Sequence, residues 1–383
     1  MKLNLPDADA YLMVSESAHS ADMYYATGFL AYDSFIYLNS KSEKLLISDM
    51  ELGRAKKESR IKDVLPTSEF GIMEKLRALK DIDAAYNGMI IEFLRKENVK
   101  LVAVPYNFPV YLADVMRRDG FEVFPVKSPF REMREVKNEN EIKAIEKAQR
   151  AGEQALAEAI SVIRKATIGN GVLWYNNAPL KAEDVRSIIE TSLLSLGCEA
   201  PDVIVACGPG SADPHWHGEG ELRAGEPIVI DMVPRSKIER YFSDMTRTVV
   251  RGNPTEEIKN MYSAVRDAQV AAIAKIKAGI TGSEVHNIVC DVLEARGYET
   301  ARGKTGVFTE GFIHSTGHGV GLDIHEGPNL SESGKELKEG CVVTVEPGLY
   351  FKRTGGVRLE DVVVVTANGC KNLTIFEKNL VLE

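Results

Sequence analysis

Along the first third of the chain, short apolar runs alternate with stretches whose apolar residues recur every three or four positions. AYLMV from Ala10, SFIYLN from Ser34, KLLIS from Lys44 and LVAVP from Leu101 predict strands. Each is short, apolar and bounded by turn or polar residues. FGIMEKLRALK from Phe70 and MIIEFLRKENVK from Met89 carry the spacing of amphipathic helices. VYLADVMRRDGFEVFPV predicts a helix stopped at Gly120 and then a strand, and Tyr24–Phe29 reads as a turn into the strand that follows. Alternation of this kind predicts an α/β domain.

The charged segment after Phe130 changes the pattern. Arg131 to Lys137 has no β-like alternation, whereas Glu139 onward has a long helical one, its charges forming a solvated face. The boundary is therefore expected between Arg134 and Val136, giving domains 1–134 and 135–383. In the second, ATIGNGVLWYNNAPLKAED reads as a loop or insertion because of its Gly, Asn and Pro content. DVIVACG, PIVIDMV and YFSDMTRTVV are strand-like, and a long helix follows Asn253-Pro254-Thr255. A further helix from about Ser283 to Arg296 ends at Gly297, and CVVTVEP and VRLEDVVVVT close the chain as strands.

Composition narrows the function. A net charge of −9 argues against nucleic acid or an anionic membrane as the main partner. No signal-peptide pattern and no apolar run of membrane-spanning length is visible. The five cysteines are scattered, with no Cys-x-x-Cys, as in a reducing cytoplasm with free thiols. A cytoplasmic enzyme is expected.

The chemistry concentrates in FIHSTGHGVGLDIHE, Phe312 to Glu326, which holds His314, His318 and His325, three of seven histidines. Glycine between them permits close approach of backbone or ligand. Asp231 ends the apolar run PIVID, Asp244 opens a strand, Glu346 follows CVVTV, and Glu360 lies inside VRLEDVVVV. Singly, each carboxylate reads best as a cap or salt bridge. Together, four carboxylates at apolar strand ends and one glycine-flanked histidine suggest a metal site, because such charges are costly there unless paired or metal-bound. Four carboxylates and an imidazole can hold two divalent ions if two carboxylates bridge. The donors suit manganese or cobalt first, then zinc or iron, rather than a thiolate-loving metal.

The ordered series Asp231, Asp244, His318, Glu346, Glu360, within SDMTRT, STGHGVGLDIHE, VEPGLY and GVRLED, resembles the pita-bread metallopeptidases: methionine aminopeptidase, aminopeptidase P, prolidase and metal-free creatinase. YYATGF and the REMREVKNENEI linker resemble the creatinase-type amino-terminal domain of prolidases and aminopeptidases P. The resemblance implies an α/β (α+β) chain, a creatinase-like domain followed by a pita-bread catalytic domain. It implies that Asp231 binds one of two divalent ions, that Asp244 and Glu360 bridge both, and that His318 and Glu346 complete the shells. Glu346 would also move the proton from the attacking water to the leaving amine. His215 and His325 resemble the family's non-ligand active-site histidines, His215 lining the substrate pocket, with its neighbour His217 an alternative, and His325 meeting the scissile carbonyl. Arg358 would hydrogen-bond carboxylates or solvent in the site. His314 and Thr316 would orient the loop, His286 and His19 would be structural, and Trp216 would be a pocket wall or loop packing. The implied substrates are peptides with proline second, and the implied assembly is a homodimer.

Two departures bear on the substrate. Asp231-Met232-Val233 replaces the family's usual Asp-x-Gly, and 13 rather than 11 positions separate the aspartates, which predicts a longer hairpin. Asn329 stands where strict prolidases often carry an arginine for the substrate carboxylate. Asparagine lacks the charged bidentate fork, and unless another cation such as Arg353 substitutes, this favours an Xaa-Pro aminopeptidase over a strict dipeptidase. A non-catalytic binding module or a metal-free creatinase-type hydrolase is disfavoured by the five ligand types.

Overall fold

The alternation of the first third becomes a six-stranded mixed sheet in the computed structural model, which describes Leu3, Leu5 and residues 7–383. Across the sheet the strands run Asp63–Pro66, Glu43–Ile47, Phe35–Asn39, Ala10–Ser15, Leu101–Pro105, Glu122–Val126. Helices Ile82–Lys96 and Val110–Arg118 bury Met89, Ile90, Phe93, Leu112 and Met116 against Leu12, Leu38 and Val102. Met1–Arg134 forms one compact unit and Glu135–Glu383 a second.

Three local expectations change here. Tyr24–Phe29 is no simple turn: Ala21–Thr27 is a helix, capped by the Ser20 hydroxyl and ended by Gly28 at φ 64°. Two turns are too short to show a period, so only the cap signalled it. The apolar spacing of FGIMEKLRALK breaks at Gly71, which separates a 3-10 turn from the helix Ile72–Leu79. The strand Asp63–Pro66 went unread because it is a short edge strand ending in proline.

In the second unit, Asn138 and Glu141 form a capping box that starts the 27-residue helix Glu139–Lys165. This helix and Ala182–Ser195 share a core with the sheet Val203–Cys207, Ile228–Met232, Met245–Arg251, Val381–Leu382. A five-stranded sheet (Glu326–Leu330, Gly317–Gly319, Val342–Val345, Asp361–Thr366, Gly369–Asn372) packs likewise on helices Glu256–Lys275 and Gly282–Ala295. The segment read as a loop, 166–184, is instead a three-stranded meander, Thr167–Gly169, Val172–Tyr175 and Ala178–Pro179. Asn170 and Asn177 hold positive φ at its two turns, and Leu173 is fully buried. Its strands were too short for alternation to register.

VRLEDVVVVT is not one strand. Gly355–Arg358 pairs with Gly348–Phe351 and Asp361–Thr366 with Val342–Val345, so Leu359–Glu360 is the junction where the chain changes partner. The hairpin after Asp231 is lengthened as its spacing predicts. Arg235–Ser236 pairs with Cys198–Glu199, and Arg240 turns the chain at φ 65°. Among the described residues no helix is long and apolar enough to cross a membrane, and all five cysteines are free.

Candidate metal centre

Four strand ends deliver the carboxylates. Asp231 sits opposite Thr246 in the antiparallel pair Ile228–Met232 with Met245–Arg251, and Asp244 precedes the second of these strands. Glu346 follows Val342–Val345, and Glu360 occupies the two-residue junction, its amide bonded to the Thr246 carbonyl at 3.0 Å. Ligand atoms of Asp244, His318 and Glu360 lie within 4.8 Å of one another. His318 Nε2 stands 3.5 Å from Asp244 Oδ2 and 3.4 Å from Glu346 Oε1. All five residues of the ordered series therefore face one site, Asp231 being tied to it through Arg358.

The imidazole is pre-oriented. His318 Nδ1 lies 3.2 Å from the Gly319 carbonyl, which only accepts, so Nδ1 carries the proton and the Nε2 lone pair faces the carboxylates. The Thr344 hydroxyl accepts from the His318 amide at 3.0 Å and donates to Glu346 at 3.3 Å. Glycine is required at 317, because a Cβ there would overlap the Thr344 carbonyl.

Arg358 organises the carboxylates from behind. Buried, it donates to Asp231 Oδ2 at 2.6 Å, to the Tyr350 hydroxyl at 2.9 Å and to Thr246 Oγ1 at 3.2 Å. Thr246 in turn donates to Glu360 Oε2 at 2.8 Å. Tyr350 accepts from Arg358, so its proton goes to His314 Nε2 at 2.9 Å, and His314 Nδ1 donates to the Ser315 carbonyl at 2.7 Å. His314 thus braces the loop, as expected.

Burial and mutual repulsion dominate the electrostatics. Burial, then Glu360 and Asp231, raises Asp244 well above the carboxylate range. Burial, then Glu346, does the same to Glu360, and burial followed by Asp244 pushes Glu346 up to about 8. Burial and the neighbouring His325 lower His318 to about 4, so its imidazole is neutral at pH 7. Carboxylates crowded in this way repel one another when ionised, and either protons or a cation relieves the repulsion. Asp231 Oδ1 is buried and has no hydrogen-bond partner among the described residues, an orphaned acceptor that a divalent ion would satisfy. Hard oxygen donors and one neutral imidazole fit such ions.

The remaining histidines divide. His325 is exposed on the loop after His318, with ring centroids 4.4 Å apart and edge-to-face. Burial and then His215 lower its pKa, and His215 also acts on His314, so His215 borders the site, its amide held by Asp213 Oδ1 at 3.1 Å. His217 instead lies 2.8 Å from Asp202. His286 is buried against Thr316 at 3.0 Å, a structural placement, whereas His19 is exposed beside Glu16. Trp216 packs on Gly210, where no Cβ would fit. Asn329 is exposed, and Arg353 is engaged by Glu257 at 2.6 Å. Tyr350, Thr246 and Thr344 were not singled out by sequence; Tyr350 and Thr246 lie within VEPGLY and SDMTRT, but only the packing reveals their partners.

Residues 143–367 match the model of Metallopeptidase family M24, and residues 4–136 that of the Creatinase/Prolidase N-terminal domain. The chain is 32% identical over 371 residues to the Xaa-Pro dipeptidase of Pyrococcus horikoshii, a match covering 95% of this chain and 93% of that protein. The crystal structure of the prolidase from Pyrococcus horikoshii OT3 superposes with a TM-score of 0.80 at 31% identity, covering 98% of this chain and 96% of that one. X-Pro aminopeptidase from Thermotoga maritima MSB8 superposes with a TM-score of 0.80 at 28% identity, covering 98% and 97%.

Proposed function

The chain belongs to metallopeptidase family M24, and from that premise we propose that it hydrolyses the amino-terminal Xaa-Pro bond of peptides. The observation that carries this is the convergence of Asp244, His318 and Glu360 beside Glu346 and the orphaned Asp231 oxygen. Asp231, Asp244, His318, Glu346 and Glu360 would hold two divalent ions, manganese or cobalt before zinc or iron. When bound, the pair supplies Lewis acidity and brings the pKa of a shared water towards neutrality. Asp244 and Glu360, the more deeply buried of these carboxylates, would hold the ions from the inner side of the site. Glu346, at the rim beside His318, moves the proton from the water to the leaving amine. His325 donates to the scissile carbonyl, His215 lines the substrate pocket, and Arg358 holds Asp231 in place.

The activities named for the relatives, an Xaa-Pro dipeptidase and an X-Pro aminopeptidase, support the proline preference. Asn329 and the engagement of Arg353 by Glu257 leave those two positions without a free cation for a dipeptide carboxylate, which favours longer peptides. Strict dipeptidase action is the second reading, favoured by the identity to the Pyrococcus dipeptidase over nearly the whole chain. Net charge and free cysteines support a cytoplasmic enzyme acting without nucleic acid or membrane, and the family resemblance a homodimer.

The test is hydrolysis of Ala-Pro and Ala-Pro-Ala by metal-stripped protein titrated with manganese, cobalt and zinc, with Asp244→Ala as control. Metal-dependent release of alanine from the tripeptide, absent in the variant, is expected. Cleavage of the dipeptide alone would establish the second reading, and cleavage of neither would end the proline assignment.

A further inference from the structure

The loop that carries His325 is tethered from beneath by a buried charge pair. Lys137 Nζ lies 2.7 Å from Glu326 Oε1, with side-chain exposures of 1% and 4%. Glu326 opens the strand Glu326–Leu330, immediately after His325. Glu326 is turned inward, whereas His325, in the bend that immediately precedes this strand, is exposed with its ring edge-to-face on His318. The Glu326 carboxylate fills the space over Gly321 where a Cβ would collide, so it underlies the turn between the two histidines. Gly319, on the far side of that turn, pairs with Glu326 across the sheet.

Lys137 is itself anchored at several points. Its amide bonds to the Gly340 carbonyl at 2.9 Å, Val136 bridges to Cys341, and the next residue is the side-chain cap of helix Glu139–Lys165. Gly340 adopts φ 87° and lies against the Lys137 carbonyl, where a side chain would crowd it. The lysine therefore rises from rigid backbone, and a buried carboxylate has strong reason to stay on it.

We propose that Lys137 is a positioning residue for the reaction: through Glu326 it fixes the backbone rotation at 325–326 and so the direction of the His325 imidazole. This rests on the reading of His325 as the donor to the scissile carbonyl. Among the described residues the side chain of Lys137 is bound to Glu326 and the Glu135 carbonyl and to none of the five candidate metal-site residues, so its effect is expected on orientation alone.

The experiment compares Lys137→Met, Lys137→Arg, His325→Ala and Lys137→Met/His325→Ala, all manganese-loaded, on Ala-Pro-Ala. Misplacing a catalytic group by about an ångström costs on the order of a hundred-fold. Lys137→Met is expected to lower kcat roughly ten- to hundred-fold, with KM and bound manganese unchanged, and Lys137→Arg to recover most of it. In the His325→Ala background the same change should alter kcat by less than roughly two-fold. Amide hydrogen exchange over 319–327 should quicken in Lys137→Met whatever the substrate. An equal loss of kcat in both backgrounds, fewer bound manganese ions, or unaltered exchange would overturn the inference. His325→Ala turning over at the wild-type rate would instead sink the role given to His325. Should Lys137→Met fail to fold, Glu326→Gln, of the same size, is read by the same criteria.

Discussion

Arg247→Met tests whether one buried guanidinium ties the catalytic strands to the C-terminal segment. Arg247 is 1% exposed and uses all five N–H groups. Nη1 donates to the carbonyls of Thr246 at 2.9 Å and Glu360 at 2.7 Å, and Nη2 to Phe376 O at 2.9 Å and Asp361 Oδ1 at 3.0 Å. Nε reaches Glu377 O at 3.1 Å. Methionine fills much of the volume but satisfies none of these acceptors. Removing one partner of a buried pair costs about 3–5 kcal/mol when the other charge is stranded. Asp361 is not stranded, because Lys378 at 2.6 Å and Asn372 at 2.7 Å remain on its other oxygen. The low end, about 3 kcal/mol, is therefore expected, the loss coming from four carbonyls deprived of a charged donor. At roughly 2–4 °C per kcal/mol for a unit of this size, the melting temperature should fall by about 6–12 °C. Calorimetry on metal-free protein at pH 7 measures it, with Lys378→Met as a control that leaves Arg247 on Asp361. A fall of less than about 2 °C, below even one kcal/mol on that scale, or one no larger than the control's, would refute the reasoning.

Manganese at a hundred times its dissociation constant should stabilise the wild type by about 2.7 kcal/mol. Asp244→Ala should abolish that shift in a melting titration, and a preserved shift would remove Asp244 from the metal site. Gly317→Ala should displace His318, because the new Cβ overlaps the Thr344 carbonyl; the expected loss is at least ten-fold in manganese affinity by isothermal titration, about 1.4 kcal/mol. Burial lowers the pKa of His286 below the ordinary imidazole value, so between the folded value and about 6.5 the unfolded chain binds the extra proton. The stability that neutral His286 contributes is thus complete above pH 6.5 and is lost as pH falls towards the folded value. His286→Asn should flatten the melting temperature between pH 7.5 and 5.5, about the unperturbed histidine value; an unchanged slope would show that another group titrates there.

The candidate site residues stood out in the sequence because their signals are local. Asp231 and Asp244 stand at ends of apolar runs, and His318 lies between glycines that the structure requires for close approach. The long helix from Glu139 showed both its period and its cap. Short strands were legible where they are continuous apolar runs, and short elements without such a run did not read as well. The helix Ala21–Thr27 and the meander at 167–179 are shorter than the window over which a hydrophobic period becomes visible. Glu360 was found but misplaced within a continuous strand, because a change of pairing partner leaves no mark on an apolar run.

Sequence alone determined which residue types are present and where each sits along its own element, since apolar periodicity and strand-end carboxylates are properties of neighbouring positions. Only the tertiary structure decided how those carboxylates meet. Thr246 lies two residues from Asp244 in sequence yet serves Glu360, and Arg358 lies two residues from Glu360 yet clamps Asp231. Lys137 finds Glu326 from far along the chain. Such partners are selected by burial, which leaves each buried charge only the partners that the fold happens to bring within reach.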